Sequence, residues 1–192
     1  YYFLVKKKPQ NQSSLNFYFE SGPPPVRALS QDLIDSFEPG DLRRLHWVGE
    51  VTDGSVSWYY PNKYKQHDFT SQSTEYSILL RMEEIVLIRA EARARISDVT
   101  GAAQDLNIIR SRAGLDNSTA VTADEMVHSI LNERRWELFT EHGHRFFDLV
   151  RAGQANAVLS SKQGWDATDV LLPIPDRELN LNPNLLPQNA GY

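Results

Sequence analysis

At 192 residues, with 41% hydrophobic and 23% charged residues, the chain has ordinary globular composition and enough length for a real core. A formal net charge of -5 and a pI near 5.5 exclude the broad electropositive surface that nucleic acid or anionic lipid requires, so no nucleic-acid partner is expected. The absence of cysteine removes disulfides, thiolate zinc sites and cysteine nucleophiles, and the best apolar run is broken by Arg81, Glu83, Glu84 and Arg89 before it could span a bilayer.

The chain opens on Tyr1-Tyr2-Phe3-Leu4 with no initiator methionine and no signal-peptide pattern, which reads as an internal start. Gly22-Pro23-Pro24-Pro25 is a stiff extended spacer. A short helix follows, with Ser30 as N-cap, Leu33, Ile34 and Phe37 as its apolar face and Pro39-Gly40 as its stop. From Asp41 to Gln72, Val51, Val56, Trp58 and Tyr60 punctuated by Gly49, Gly54 and Pro61 predict one hairpin or extended loop.

From about Tyr76 the pattern becomes helical, and Ile78, Met82, Ile85, Ala92 and Ile96 recur near a period of 3.6 as its expected core face. A turn at Asp98 to Gly101 leads into a second helix through Ala102, Leu106 and Ile109, ended by Gly114; the two form an antiparallel hairpin. Thr122 and Glu125 have capping-box spacing for a third helix reaching about Glu141. A fourth runs from His144 to Ala152 and finishes at Gly153, and the proline-bearing tail (Pro173, Pro175, Pro183, Pro187) is expected to run largely extended. The fold class is mainly α, divided by composition into an irregular aromatic segment over 1–75 and a helical domain with an extended tail over 76–192. Two hairpins in tandem suggest a helical repeat layer, without a strict 34-residue period.

The densest ionisable cluster runs from Glu133 to Gly153. Glu125-x-x-His128 and Glu141-x-x-His144 have the spacing of ferritin-like di-metal ligands. Placed on one predicted helix they lie roughly 24 Å apart, so no metal is expected. Glu133, Glu137 or Glu141 with Asp148 could be set as a glycosidase pair. Opposite charges surround them, Glu141 with Arg145, Arg145 with Asp148 and Asp148 with Arg151, which predicts a structural ion-pair network. No Gly-rich phosphate loop, nucleophile elbow or zinc helix is present, so no cofactor and no catalytic residue are assigned. The aromatic candidates are Trp47, Trp58, Tyr59 and Tyr60, with Tyr64, Asp53, Asn62, Lys63 and Lys65 close in sequence. Flat rings beside polar groups suit the C–H faces and hydroxyl rims of sugars, although alternate strand residues such as Trp58 and Tyr60 also suit ordinary inward packing. Trp136 reads as helix packing and Trp165 as a loop residue.

Four segments resemble the SusD/RagB family in order along the chain. They are RMEEIVLIRAEARARI from Arg81, LNIIRSRAGL from Leu106 to Leu115, ERRWELFTEHGHRFFDLVRAG from Glu133 to Gly153, and the tail LLPIPDRELNLNPNLLPQNAGY. Residues 1 to 75 resemble it only through Tyr60-Pro61-Asn62-Lys63-Tyr64, and Ala152 and Ala190 depart from the usual pattern. The resemblance implies the C-terminal portion of an outer-membrane nutrient-binding lipoprotein with tetratricopeptide-like hairpins, surface-exposed in a Bacteroidetes-type bacterium. It implies a lipid anchor on an N-terminal part outside this sequence, and a SusC-like TonB-dependent transporter as partner. It also implies non-catalytic binding of an oligosaccharide or polysaccharide, with peptide as the alternative cargo, through aromatic residues in irregular segments; a carboxylate-based glycoside hydrolase is the rival.

Overall fold

The computed structural model describes residues 12–25, 27–68, 72 and 74–192; the reading of Tyr1 as an internal start lies outside them. The chain forms two compact units, the first ending at His142 and the second running Gly143–Tyr192. The compositional division at residue 75 therefore falls inside the first unit.

The first unit begins with helix α1 (Gln12–Phe17). Helix α2 (Gln31–Ser36) starts where its cap predicts: the Ser30 hydroxyl accepts the Leu33 N–H at 3.3 Å, and Leu33 and Ile34 are buried. Helix α3 (Leu42–Trp47) stands where a loop or hairpin was expected. Asp41 explains it, because its carboxylate accepts the Arg43 N–H at 2.8 Å and caps a new helix directly after Pro39-Gly40. The expected hairpin follows as antiparallel strands β1 (Val48–Thr52) and β2 (Ser57–Pro61), registered Val48 to Pro61 and Val51 to Trp58. At its turn the Asp53 carboxylate accepts the Ser55 and Val56 amides at 2.8 and 2.9 Å, and Gly54 takes φ +94°. Leu33, Ile34, Val48 and Phe139 form a small core here, with Trp47, Tyr59 and Trp136 packed on it. Trp136 is thus a packing residue, and its ring N–H donates to Ser36 at 3.0 Å.

The main core lies among helices α4 (Met82–Arg95), α5 (Val99–Arg112) and α6 (Ala123–Glu137). Leu87, Ala90 and Ala94 of α4 meet Ala102, Leu106 and Ile109 of α5 and Met126 and Ile130 of α6, all eight buried. The expected core face of α4 is corrected. Ile78 precedes the helix, and Met82, Ile85, Ala92 and Ile96 point outward. The alanines explain the choice, since small side chains let α5 and α6 approach closely, whereas the bulkier row would hold them off. The ends of α5 follow local chemistry. Asp98 accepts the Gly101 N–H at 2.9 Å, and at the far end the amides of Leu115 and Gly114 return to Arg110 and Ser111 around Gly114 at φ +78°. Helix α6 opens on the predicted Thr122–Glu125 capping box but stops at Glu137, short of the expected Glu141.

In the second unit, helices α7 (His144–Arg151) and α8 (Ala155–Leu159) bury Leu149, Ala155 and Leu159 with Phe146, Val150, Trp165 and Val170 packed around them. Trp165 is more than a loop residue there, and its ring N–H donates to Asn156 at 3.0 Å. The tail is less extended than its prolines suggest. Pro175 is the residue before helix α9 (Asp176–Leu181), and Pro183 opens a 3-10 turn, both positions where no amide donor is needed. The Gln188 side chain then bonds both the N–H and the C=O of Ile174 at 2.8 Å, clipping two extended stretches together. No helix among the described residues is long and apolar enough to cross a membrane.

Candidate functional site

The carboxylates of α6 are the hub of the first unit. Arg43, delivered by α3, bonds Glu133 at 2.7 Å, Glu137 at 3.1 Å and Asp41 at 2.8 Å, all at buried positions. Arg110 and Arg112 of α5 reach Glu133 at 3.3 Å and Glu137 at 2.5 Å, and Arg81, the residue before α4, bonds both Glu137 and Glu141. Lys63, just past β2, pairs with Glu141 and donates to the carbonyls of Glu137 at 2.7 Å and Phe139 at 3.0 Å. These last bonds explain why α6 ends early. A cation from another element takes its final carbonyls, and the chain then turns through Thr140 at φ +60°.

Burial works to raise the Glu133 carboxyl and does so, despite Arg43 and Arg110. Burial opposes ionisation at Glu137 and Glu141 as well, but there the surrounding cations win: Arg81, Arg112 and Arg43 at the first and Lys63 with Arg81 at the second hold them below the usual range. Burial pushes the Lys63 ammonium down to about 8 against the attraction of Glu141. Glu133 and Glu137 are fully buried among arginines, so they hold helices together and offer no space for a sugar between them. Arg145, Asp148 and Arg151 lie on α7, where Arg151 bonds Asp148 at 2.7 Å. The two Glu-x-x-His motifs do not share a helix. Glu125 is spent on capping, accepting the Val121 and Thr122 amides at 3.0 Å, while Glu141 lies beyond α6 and His144 begins α7. Among the described residues no group of three metal-binding side chains converges.

Above this network lies a cleft of about 210 Å³, lined by Trp47, Tyr64 and Ile78 with Lys63, Arg81, Arg112, Glu83 and Glu141. Lys63, Arg112 and Arg81 stand 4.9, 5.6 and 5.8 Å from the centre of the Trp47 ring. Arg112 bonds Glu83 at 3.1 Å and is half exposed, so a donor and an acceptor sit side by side next to an aromatic surface. Tyr64 is fixed by accepting the Ile78 N–H at 2.8 Å.

Of the four rings singled out by sequence, the structure divides the set. Strand alternation puts Trp58 and Tyr60 on one face of β2 and Tyr59 on the other. Trp58 lies so close over Gly22 that a Cβ there would come within 2.0 Å of the ring, and Tyr60 covers Gly49 in the same way and packs edge-on against Tyr18 and Phe19. Tyr59 and Trp47 pack on the small core, with Arg44 5.0 Å over the Tyr59 ring. Of these four rings, Trp47 is the one that stands beside the network's charged groups, with Lys63, Arg81 and Arg112 near it. Sequence spacing offered no means of placing Arg81, Glu83 or Arg112 beside it.

The first unit is therefore a helical scaffold carrying a cleft lined by Trp47 and charged side chains. A family model described as the SusD family matches residues 48–192, and the chain belongs to that family. SusD-like protein P2 of Formosa agariphila is 32% identical over 187 residues, covering 86% of this chain and 37% of the relative. A SusD superfamily structure from Bacteroides vulgatus superposes with a TM-score of 0.70 at 23% identity over 86% of this chain and 44% of that one. Surface glycan-binding protein A from Bacteroides uniformis superposes with a TM-score of 0.65 at 26% identity, over 85% and 41% of the two chains. The chain thus spans well under half of each of these relatives, and its mainly helical fold is the superfamily's.

Proposed function

We propose that these residues form part of a non-catalytic, cell-surface glycan-binding protein, with the cleft at Trp47 as one contact for an oligosaccharide. The observation that carries the reading is the juxtaposition, in one cleft, of the Trp47 ring with the Arg112–Glu83 pair. A similar structure bearing the name of a surface glycan-binding protein supports the ligand class. Against hydrolysis stands the burial of Glu133 and Glu137, whose oxygens are already bonded to arginines. In this reading the bound glycan passes to a SusC-like TonB-dependent transporter, and a lipid on a part of the protein outside these residues anchors it to the outer membrane. Trp58, Tyr59 and Tyr60 then serve chiefly to set the hairpin that carries the chain from Trp47 to Lys63.

Retention of the intact protein in gels cast with a panel of polysaccharides tests this. Trp47→Ala and Arg112→Ala should each weaken retention about tenfold or more on a retarding glycan, on the scale of one lost ring stack or charged hydrogen bond. Trp58→Ala should change it much less. Unchanged retention in Trp47→Ala would move the site elsewhere, and release of reducing ends from the polysaccharide would replace binding with hydrolysis.

A further inference from the structure

The first unit holds a second cavity, of about 110 Å³, lined by Phe17 of α1 and by the polar residues Ser14, Ser77, Thr140 and His142. Lys63, Tyr64, Ile78 and Glu141 line both this cavity and the cleft at Trp47, so the two meet along those four residues. Sites for a drug-sized molecule run to roughly 300–1,000 Å³. A cavity this small matches a single unit of a longer ligand.

Its lining carries the groups that a sugar ring uses. Phe17 brings an apolar surface, and hydroxyls bring donors and acceptors. The Thr140 hydroxyl donates to the Phe139 carbonyl at 2.7 Å, which leaves its oxygen to accept. The Tyr64 hydroxyl accepts the Ile78 N–H at 2.8 Å and meets no acceptor among the described residues, which leaves its hydrogen to donate.

The backbone beside the cavity is held in an unusual conformation. Thr140 has φ +60° and His142 φ +42°, angles that glycine takes freely and that a β-branched residue rarely takes. The turn after α6 needs those angles but not those side chains, and both residues line the cavity on either side of Glu141. Side chains kept in such conformations collect where a ligand is clamped. His142 in turn donates from its ring Nε2 to the Ile78 carbonyl at 3.1 Å, so Ile78 is gripped at its N–H by Tyr64 and at its C=O by His142. The boundary common to cleft and cavity is thus set in advance of any ligand.

On the reading of the Trp47 cleft as a glycan contact, we propose that this cavity is a second sugar subsite, taking the neighbouring unit of the same glycan chain.

Length dependence tests it. Oligosaccharides of increasing length are prepared by partial hydrolysis of the polysaccharide that most retards the intact protein, and their affinities are measured by calorimetry. Adjoining subsites predict a rise of about tenfold or more once an oligosaccharide is long enough to enter the second, on the scale of one or two added hydrogen bonds. Ser77 is exposed, so Ser77→Trp can fill the cavity from the surface. It should abolish the rise while the shortest binder keeps its affinity within about twofold. Thr140→Gly suits the left-handed backbone and should reduce the rise several-fold. A full rise in both variants, or no rise in the unsubstituted protein, overturns the subsite and leaves the cleft reading standing. If Ser77→Trp also loses the shortest binder, the substitution has disturbed the cleft and Thr140→Gly decides. Retention on no polysaccharide, or affinities that Trp47→Ala leaves unchanged at every length, overturns the cleft reading and the subsite with it.

Discussion

Glu137 and Asp148 are both buried carboxylates answered by arginine, yet they are held in different ways. Glu137 is reached by Arg43, Arg81 and Arg112, from three segments far from it in sequence. Asp148 receives Arg151 from the next turn of its own helix, and that arginine is 40% exposed. The difference teaches where charge alternation matters. A pair three residues apart mostly decorates a helix already formed, whereas a buried hub joined to distant cations fixes how α3, α5, α6 and the strand end meet.

That contrast can be broken at its strongest point first. Glu137→Ala leaves three arginines without their shared acceptor and should cost about 3–5 kcal/mol of unfolding free energy in denaturant titrations. A cost near that of a surface pair would mean that the hub contributes little.

Lys63 sharpens it through pH. Burial lowers its folded value to about 8 from an ordinary 10.5, so between these values the unfolded chain holds a proton that the folded chain has released. Stability from this group therefore rises with pH across that window. The stability of the unsubstituted protein relative to Lys63→Met should increase from pH 8 towards 10.5, and a flat difference would contradict the burial of a charged ammonium. At the acid end Glu137 and Glu141, held below the ordinary 4.5, should lose their stabilising effect as pH falls through their depressed values. The smallest effect is expected of Arg151→Ala, which should cost less than Glu137→Ala by the same titration, because it removes one half-exposed cation where Glu137→Ala strands three arginines.

Much of the architecture was legible because its causes are local. Ser30, Gly114 and the Thr122–Glu125 box each satisfy backbone groups within a few residues, and all sit at the helix ends where they were expected; the turn expected from Asp98 to Gly101 is instead helical from Val99, with Asp98 as its cap. The β-hairpin was readable for the same reason, through Gly54 and alternating residues. Asp41 as a cap was missed because the strand-like pattern just beyond it hid a six-residue helix. The inner face of α4 was misread because both faces are apolar, and periodicity cannot say which of two rows meets a neighbour.

The cleft was less accessible. Trp47 was singled out as a ring and Lys63 as a polar group close to it in sequence, but Arg81 and Arg112 come from two other segments, and nothing in their spacing brings them to the ring. The sequence by itself determined the helical class, the caps and the family, since these rest on short-range hydrogen bonding and on ordered motifs. Only the tertiary structure decided which face of α4 is buried, where α6 stops and which cations surround Glu137 and Trp47. Those outcomes depend on close packing and on charges meeting across long stretches of chain, where the gain from burial and pairing overrides any local preference.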